Sequence, residues 1–237
     1  MQVETKPQVT AAPVFNLRRN SWLRPKYILA AFIAVMYLYV IWYDESFLIN
    51  MNHPKWQHIE SFKWILLPHG LASACALILG PLQFSDRLRQ RFTKMHRVLG
   101  RFYVGGALIG APMGVYMHYF ELKHLYPGNT AFFSGYIGNI FNALLWDFCT
   151  VMAIIFILQG KVQLHRQWMT RSFACALIFL ETRFIVGIFH LHGLGDVVLW
   201  ACVAMAVPLA DLALYLQEYF RTRTSSAKAI RATAQIA

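Results

Sequence analysis

Two histidine–arginine pairs, His96-Arg97 and His165-Arg166, each stand just before a long apolar run of this chain. Each run has about the 20 residues that a helix needs to cross a bilayer. Each histidine therefore lies at the start of a span, and the two spans run in the same direction. We expect both imidazoles at one membrane face and at the same depth. Two imidazoles at matching depth on facing helices can ligate the iron of a b-type haem.

Arginines near these histidines could bind the acidic groups of such a cofactor; they are Arg97, Arg101, Arg166 and Arg171. Guanidinium groups form strong paired hydrogen bonds with carboxylates such as the propionates of haem. The sequence therefore predicts a haem b site that faces the cytoplasm, with His96 and His165 as the iron ligands. The alternative interpretation is that interfacial histidines and arginines contact lipid phosphates.

A second set of ionisable residues lies inside the apolar runs, nearer the other face: His69, Asp147, Glu181 and Arg183. A charge at the centre of a bilayer costs roughly 2.5–3.5 kcal/mol, so each group needs a partner or a water-filled cavity. At about 1.5 Å per residue, the four fall at similar depths, which predicts one polar cluster in the outer half. We expect Arg183 to pair with Asp147, because Glu181 points in another direction from the same helix. Proton relays and substrate pockets use such residues, and structural ion pairs are the alternative.

The inner half of the apolar runs contains one carboxylate, Asp211, close in depth to Arg101 and Arg171. An ion pair between Asp211 and one of these arginines would lower the cost of burying it. The sequence does not decide which arginine is the partner.

Glycines recur at every fourth position of the third apolar run, at Gly106, Gly110 and Gly114. Such a ladder lets the backbone approach another helix closely, which is its usual role. A slot for a flat cofactor is the alternative.

The composition is that of a membrane protein. Of 237 residues, 57% are hydrophobic and 14% are charged, against about 45–50% and about 25% in soluble domains. Segments near the length of a transmembrane helix lie at residues 27–43, 62–84, 99–120, 135–158, 168–190 and 195–217. The predicted fold class is therefore an all-α polytopic membrane bundle of six transmembrane helices.

This division leaves three regions. Residues 1–26 form a flexible cytoplasmic segment, residues 27–217 form the transmembrane domain, and residues 218–237 form a basic cytoplasmic tail, whose residues 223–237 should have little fixed structure. Lysines and arginines collect in the segments on one side of the bundle, so the positive-inside rule places both termini in the cytoplasm. The localisation that follows is the cell inner membrane.

The net charge of +11 indicates partners on the membrane surface. On so apolar a chain it favours the anionic lipids of the bilayer as partners and not nucleic acid. The four cysteines lie within apolar runs, so we expect no disulfide.

The two histidine–arginine stretches are parts of longer patterns. The second and fourth spans end at Gly80-Pro81-Leu82-Gln83 and Gly160-Lys161-Val162-Gln163 before them, as in a parallel duplication. The alternative is that the positive-inside bias alone repeats such connectors.

A set of motifs extends this pattern: His69-Gly70, Gly80-Pro81-Leu82-Gln83-Phe84, His96-Arg97-Val98-Leu99-Gly100-Arg101-Phe102-Tyr103, His165-Arg166-Gln167-Trp168-Met169-Thr170-Arg171-Ser172 and Thr182-Arg183. With them, the chain resembles the family of bacterial and fungal membrane proteins called domain of unknown function 2306, over roughly residues 62–215. The resemblance implies a multi-pass helical bundle and assigns no activity. The chain departs from the family pattern at Val207-Pro208-Leu209-Ala210-Asp211 and at His190-Leu191-His192.

Three classes of function follow from these residues. The first is a b-type haem-binding redox protein, and the second is a proton or small-solute transporter that uses the outer polar cluster. The third is an accessory subunit bound to a membrane protein partner. The sequence does not decide whether the protein is an enzyme, and His190 and His192 lack the neighbouring ligands of a defined metal site.

Overall fold

The computed structural model describes residues 25–48, 50 and 52–236, and this part of the chain contains helices and turns but no strand. The α-helices in this part are α1 (Pro25–Tyr43), α2 (Lys55–Ile59), α3 (Lys63–Gln83), α4 (Asp86–Arg91), α5 (Thr93–His124), α6 (Thr130–Leu158), α7 (Val162–Ile188) and α8 (Gly195–Ile236). Short 3₁₀ turns lie at Ser46–Leu48 and His192–Leu194. The predicted all-α class is confirmed for these residues, whereas most of the predicted N-terminal segment lies outside them.

Among the described residues, four helical segments are long and apolar enough to cross a membrane: Lys63–Gln83, Thr93–His124, Thr130–Leu158 and His192–Phe220. The apolar part of α1, Ile28–Tyr43, is shorter. The helix α7 is long enough, with 27 residues, but it contains arginines and a glutamate. It is therefore less apolar than the four segments. The count of six spans and the cytoplasmic position of both termini stay predictions.

The helices α3 and α5 pack closely as an antiparallel pair. A Cβ atom at Gly106 of α5 would lie 2.5 Å from the carbonyl oxygen of Ala72, and one at Gly114 would lie 2.9 Å from the ring of His69. Only glycine lets the two backbones approach this far. The predicted packing role of the glycine ladder is confirmed, and α3 occupies the face where a flat cofactor would have had to lie.

The helix α7 lies at the centre of the bundle and packs against α1, α3, α6 and α8. Phe173 of α7 lies over Gly80 of α3, and Tyr39 of α1 lies against Gly187 of α7. Because neighbours surround α7, its charged side chains can find protein partners instead of lipid.

Successive helices run in opposite directions, so the connectors fall at two ends. Residues 84–92 and 159–161 connect helices at one end, which we call the basic end because α4 contributes Arg87, Arg89 and Arg91 there. Gly160 makes the turn between α6 and α7 at a φ of 73°, a value that residues with a side chain rarely adopt. At the other end, the opposite end, Asn129 caps α6 by accepting a hydrogen bond from the Phe132 N–H at 3.0 Å.

A small second core covers the opposite end between α1 and α3. Its buried residues are Phe47, Ile59 and Phe62, and we call this group the aromatic cap. The Trp56 indole N–H donates a hydrogen bond to the Phe47 carbonyl oxygen at 2.9 Å, which ties α2 to the preceding turn. The Lys55 ammonium lies 4.9 Å from the centre of the Phe47 ring.

The C-terminal tail continues α8 as far as Ile236. The expectation that residues 223–237 have little fixed structure is therefore wrong up to that residue. Alanine is a strong helix former, and Ala227, Ala229, Ala232 and Ala234 are spaced through this stretch.

Candidate functional site

His165 lies in the first turn of α7, at the basic end. Its Nδ1 is 2.8 Å from the carbonyl oxygen of Ala153 in α6. Because a carbonyl oxygen only accepts, the Nδ1–H donates this bond and the Nε2 carries the lone pair. The contact fixes both the direction of the ring and its tautomer, as second-shell bonds do for metal-binding histidines.

His96 occupies the corresponding position in α5. The helix α5 begins at Thr93 and α7 at Val162, so His96 and His165 are each three residues beyond the start of their helix. The side-chain amide of Gln83 in α3 holds His96, with its nitrogen 3.0 Å from Nδ1 and its oxygen 3.3 Å from the Gly100 N–H. Sequence reasoning missed this role of Gln83, although the residue belongs to the quoted motif.

The two imidazoles are close enough to interact electrostatically. Among the described residues, neither Nε2 atom has a hydrogen-bond partner. The two histidines that were predicted to lie at one depth are therefore at the same end of the bundle and within electrostatic range of each other, and each ring is held through Nδ1.

The four predicted arginines separate into two groups. Arg97, Arg101 and Arg166 are exposed and have no ion pair among the described residues. Arg171 instead donates from Nε to Oδ1 of Asp211 in α8 at 2.8 Å. The predicted ion pair of Asp211 is thus confirmed with Arg171 as its partner.

The Arg171–Asp211 pair lies in a groove between α6, α7 and α8. The groove has a volume of about 330 Å³ and is lined by Leu145, Phe148, Cys149, Trp168, Arg171, Val207 and Asp211. The Arg171 guanidinium lies 4.7 Å from the centre of the Trp168 ring, and the rings of Trp168 and Phe148 meet edge to face at 5.5 Å. Sequence reasoning did not predict this groove, because its walls come from three helices.

At the opposite end, Arg183 pairs with Glu45 at 3.1 Å. The predicted pair of Arg183 with Asp147 is therefore wrong. Glu45 comes from the turn that follows α1, and only 16% of its side chain is exposed. This turn folds back over the end of α7, which the hydropathy of the helices does not reveal.

Further ionisable groups surround this pair. His69 and Glu121 lie within electrostatic range of Arg183, and Lys55 lies within range of Glu121. His69 also donates from Nδ1 to the Gly110 carbonyl oxygen at 2.9 Å. Two members of the predicted cluster, His69 and Arg183, are thus near each other.

No ion pair or hydrogen bond among the described side chains links the other two predicted members to Arg183. The Oδ1 atom of Asp147 is buried without a hydrogen-bond partner in this part of the chain. Glu181 lies within electrostatic range of Cys175 and Cys202. The polar cluster at the opposite end, which we call the opposite-end cluster, therefore differs from the predicted one. It consists of Glu45, Lys55, His69, Glu121 and Arg183.

A buried chain of hydroxyl groups joins α5, α6 and α7. Thr150 donates to the Trp146 carbonyl oxygen at 2.8 Å, so Ser172 donates to Thr150 and Tyr103 donates to Ser172, each at 2.7 Å. Tyr103, Thr150 and Ser172 are fully buried. Sequence reasoning missed this chain of hydroxyl groups. The signal that could have revealed it is the presence of hydroxyl side chains inside the apolar runs.

Comparison with known proteins identifies a family of membrane proteins. No curated protein and no solved structure matches the chain. The family described as "Predicted membrane protein (DUF2306)" matches residues 66–214. This range contains both histidine–arginine pairs, the groove and Arg183, and it covers more than half of the 237 residues. The chain therefore belongs to the DUF2306 family of membrane proteins.

Proposed function

We propose that this integral membrane protein is a redox protein that holds one haem b at the basic end, between His96 and His165. The observation that carries the proposal is that Nδ1 bonds orient both rings while each Nε2 atom has no partner among the described residues. The equal position of the two histidines in α5 and α7 supports the matched depth that one haem requires.

His165 fits this role as it stands, because the Ala153 carbonyl selects the tautomer whose Nε2 can bind iron. His96 takes the same tautomer when Gln83 presents its amide oxygen, and not its nitrogen, to Nδ1. In the structure the Gln83 N–H donates to Nδ1 of His96, so the proton of this ring is on Nε2. Turning the amide group over gives His96 the tautomer that binds iron, at the cost of the bond from the Gly100 N–H. Gln83 is therefore a positioning residue in this proposal.

The exposed Arg97 and Arg166 follow the two histidines directly in the chain, so they are the groups best placed to bind the propionates. Arg101 lies one turn further along α5 and is also exposed. Arg171 binds Asp211 through Nε, and this carboxylate neutralises its charge, so Arg171 attracts a propionate less strongly than the other three arginines do.

A haem held by His96 and His165 would supply one-electron transfer. Under the proposal, the basic end faces the cytoplasm of a cell with the protein in its inner membrane. In protein molecules that hold no haem, the exposed arginines at the basic end bind the phosphates of anionic lipids.

The test is the absorption difference spectrum of the detergent-purified protein with and without dithionite, from cells supplied with a haem precursor. We expect the reduced bands of a b-type haem in the native protein and their loss in H96A and H165A. The matched control is H124A, which removes an exposed histidine from the other end of α5. A folded native protein without these bands contradicts the proposal, as does an H165A variant that keeps them.

The opposite-end cluster supports a second candidate, proton or solute transfer. Glu121 is only partly exposed and lies within electrostatic range of two cations, Arg183 and Lys55. A partly buried carboxylate inside a membrane bundle can exchange a proton. Proton flux into vesicles should then fall in E121Q and persist in E60Q, where the glutamate is exposed.

A further inference from the structure

The groove between α6, α7 and α8 opens on the outside of the bundle. Phe148 on its wall is exposed, as are Leu144, Leu209 and Leu212 on the neighbouring surfaces of α6 and α8. Large apolar side chains on the outside of a membrane bundle face hydrocarbon, so a ligand can enter this groove from the bilayer.

The polar groups of the groove are only partly satisfied. Arg171 donates from Nε to Oδ1 of Asp211, and the Asp211 side chain is 47% exposed. In the described part of the chain, the terminal N–H groups of Arg171 and the Oδ2 atom of Asp211 have no hydrogen-bond partner. Polar groups without partners are costly where water is scarce, so this site favours a ligand that both accepts and donates hydrogen bonds.

The charge and shape of the groove narrow the class of ligand. The guanidinium and the carboxylate cancel each other, so the groove favours a neutral head group over an anionic one. The rings of Trp168 and Phe148 form an aromatic wall, which favours a flat ring. The volume of about 330 Å³ is within the range of small-molecule pockets, about 300–1,000 Å³.

We infer that the groove between α6, α7 and α8 binds a membrane quinone or quinol, a flat ring with hydrogen-bonding oxygens and an apolar tail. A ring oxygen accepts from the terminal N–H groups of Arg171, and a quinol hydroxyl donates to Asp211. The ring packs on the exposed side chain of Phe148, and the tail leaves along the apolar surface of α6 and α8. The groove is a separate site from the histidine pair, so this inference goes beyond the haem proposal and stands without it.

The test measures thermal unfolding of the full-length protein in phosphatidylcholine nanodiscs with decylubiquinone or its quinol added. We expect an increase in unfolding temperature that saturates with ligand concentration. The compound n-decylbenzene has a ring and a tail but no oxygens, so it should give no saturable increase. Equal stabilisation by n-decylbenzene, or stabilisation by phosphatidylglycerol alone, contradicts the inference.

Two variants locate the binding. D211N removes the charge that accepts from the quinol and should weaken quinol binding about tenfold or more. V207F fills the groove while the ion pair stays in place, so it should abolish binding even if D211N fails to fold. The control R89Q breaks the exposed pair of Arg89 with Asp86 and should bind as the native protein does. Unchanged binding in V207F overturns the inference.

The same titration is made with H165A. We expect quinone binding to persist in this variant, because His165 is not among the residues that line the groove. If the native protein contains no haem but binds quinone, the haem proposal is rejected and the groove inference stands. A haem protein that does not bind quinone rejects the groove inference alone.

Discussion

The two ends of the bundle carry similar side chains but satisfy them differently. At the opposite end, Arg183 binds Glu45, and His118 uses both ring nitrogens, with Asn139 at 2.7 Å and the Phe132 carbonyl oxygen at 3.3 Å. At the basic end, His96 and His165 each use Nδ1 alone among the described residues. These polar groups of the opposite end therefore use more of their hydrogen-bonding capacity within the protein than the two histidines of the basic end do.

The largest effect should come from removing the doubly bonded histidine. H118A leaves the Asn139 amide without this partner and opens a cavity, so we expect a loss of about 2–3 kcal/mol in the free energy of unfolding. H165A removes the hydrogen bond to the Ala153 carbonyl oxygen and should cost about 1 kcal/mol. Unfolding by SDS titration measures both, and an equal cost at the two sites would remove the distinction between the ends.

Breaking the opposite-end ion pair should have the next largest effect. E45Q leaves the guanidinium of Arg183 without its charged partner, and 37% of the Arg183 side chain is exposed, so water offsets part of the loss. We expect a cost of about 1–2 kcal/mol in the same titration. At the basic end, R166Q should change stability by less than about 0.5 kcal/mol. A larger cost for R166Q would show that this arginine is structural.

The two ends of α5 offer a smaller comparison. A Cβ at Gly114 would lie 2.9 Å from the ring of His69, whereas one at Gly100 would lie 3.3 Å from the side-chain amide of Gln83. The packed ring cannot move aside as easily as the glutamine, so G114A should cost about 1 kcal/mol. G100A should be close to neutral, because alanine has the higher helix propensity. Thermal unfolding of the two variants checks the order, and a more harmful G100A would contradict it.

The smallest effect should come from the aromatic cap. W56F keeps an aromatic ring beside Phe47 but removes the indole N–H that donates to the Phe47 carbonyl oxygen. We expect a loss of about 0.5 kcal/mol, the low end for one partly buried hydrogen bond. The control W64F changes an exposed tryptophan and should be neutral. Hydrogen exchange should locate any loss in W56F to residues 44–62, and exchange that rises evenly over the bundle would contradict a separate cap.

Local patterns of the sequence determined much of this protein. Apolar runs separated by basic connectors identified a helical membrane protein, because hydropathy and helix length are properties of each segment alone. The position of His96 and His165 relative to the start of their spans placed both at one end. The motifs around them identified the family.

Side-chain partners were decided only by the tertiary structure. Hydropathy gives the depth of a residue but not the rotation of its helix, and each residue turns the direction of a side chain by about 100°. From depth alone, either Arg101 or Arg171 could be the partner of Asp211. Depth alone also led to the wrong prediction that Asp147 is the partner of Arg183. The rotation of α7 and α8 brings Arg171 to Asp211, and the fold of the turn after α1 brings Glu45 to Arg183. These contacts depend on how whole helices and connectors pack, which no single segment of sequence contains.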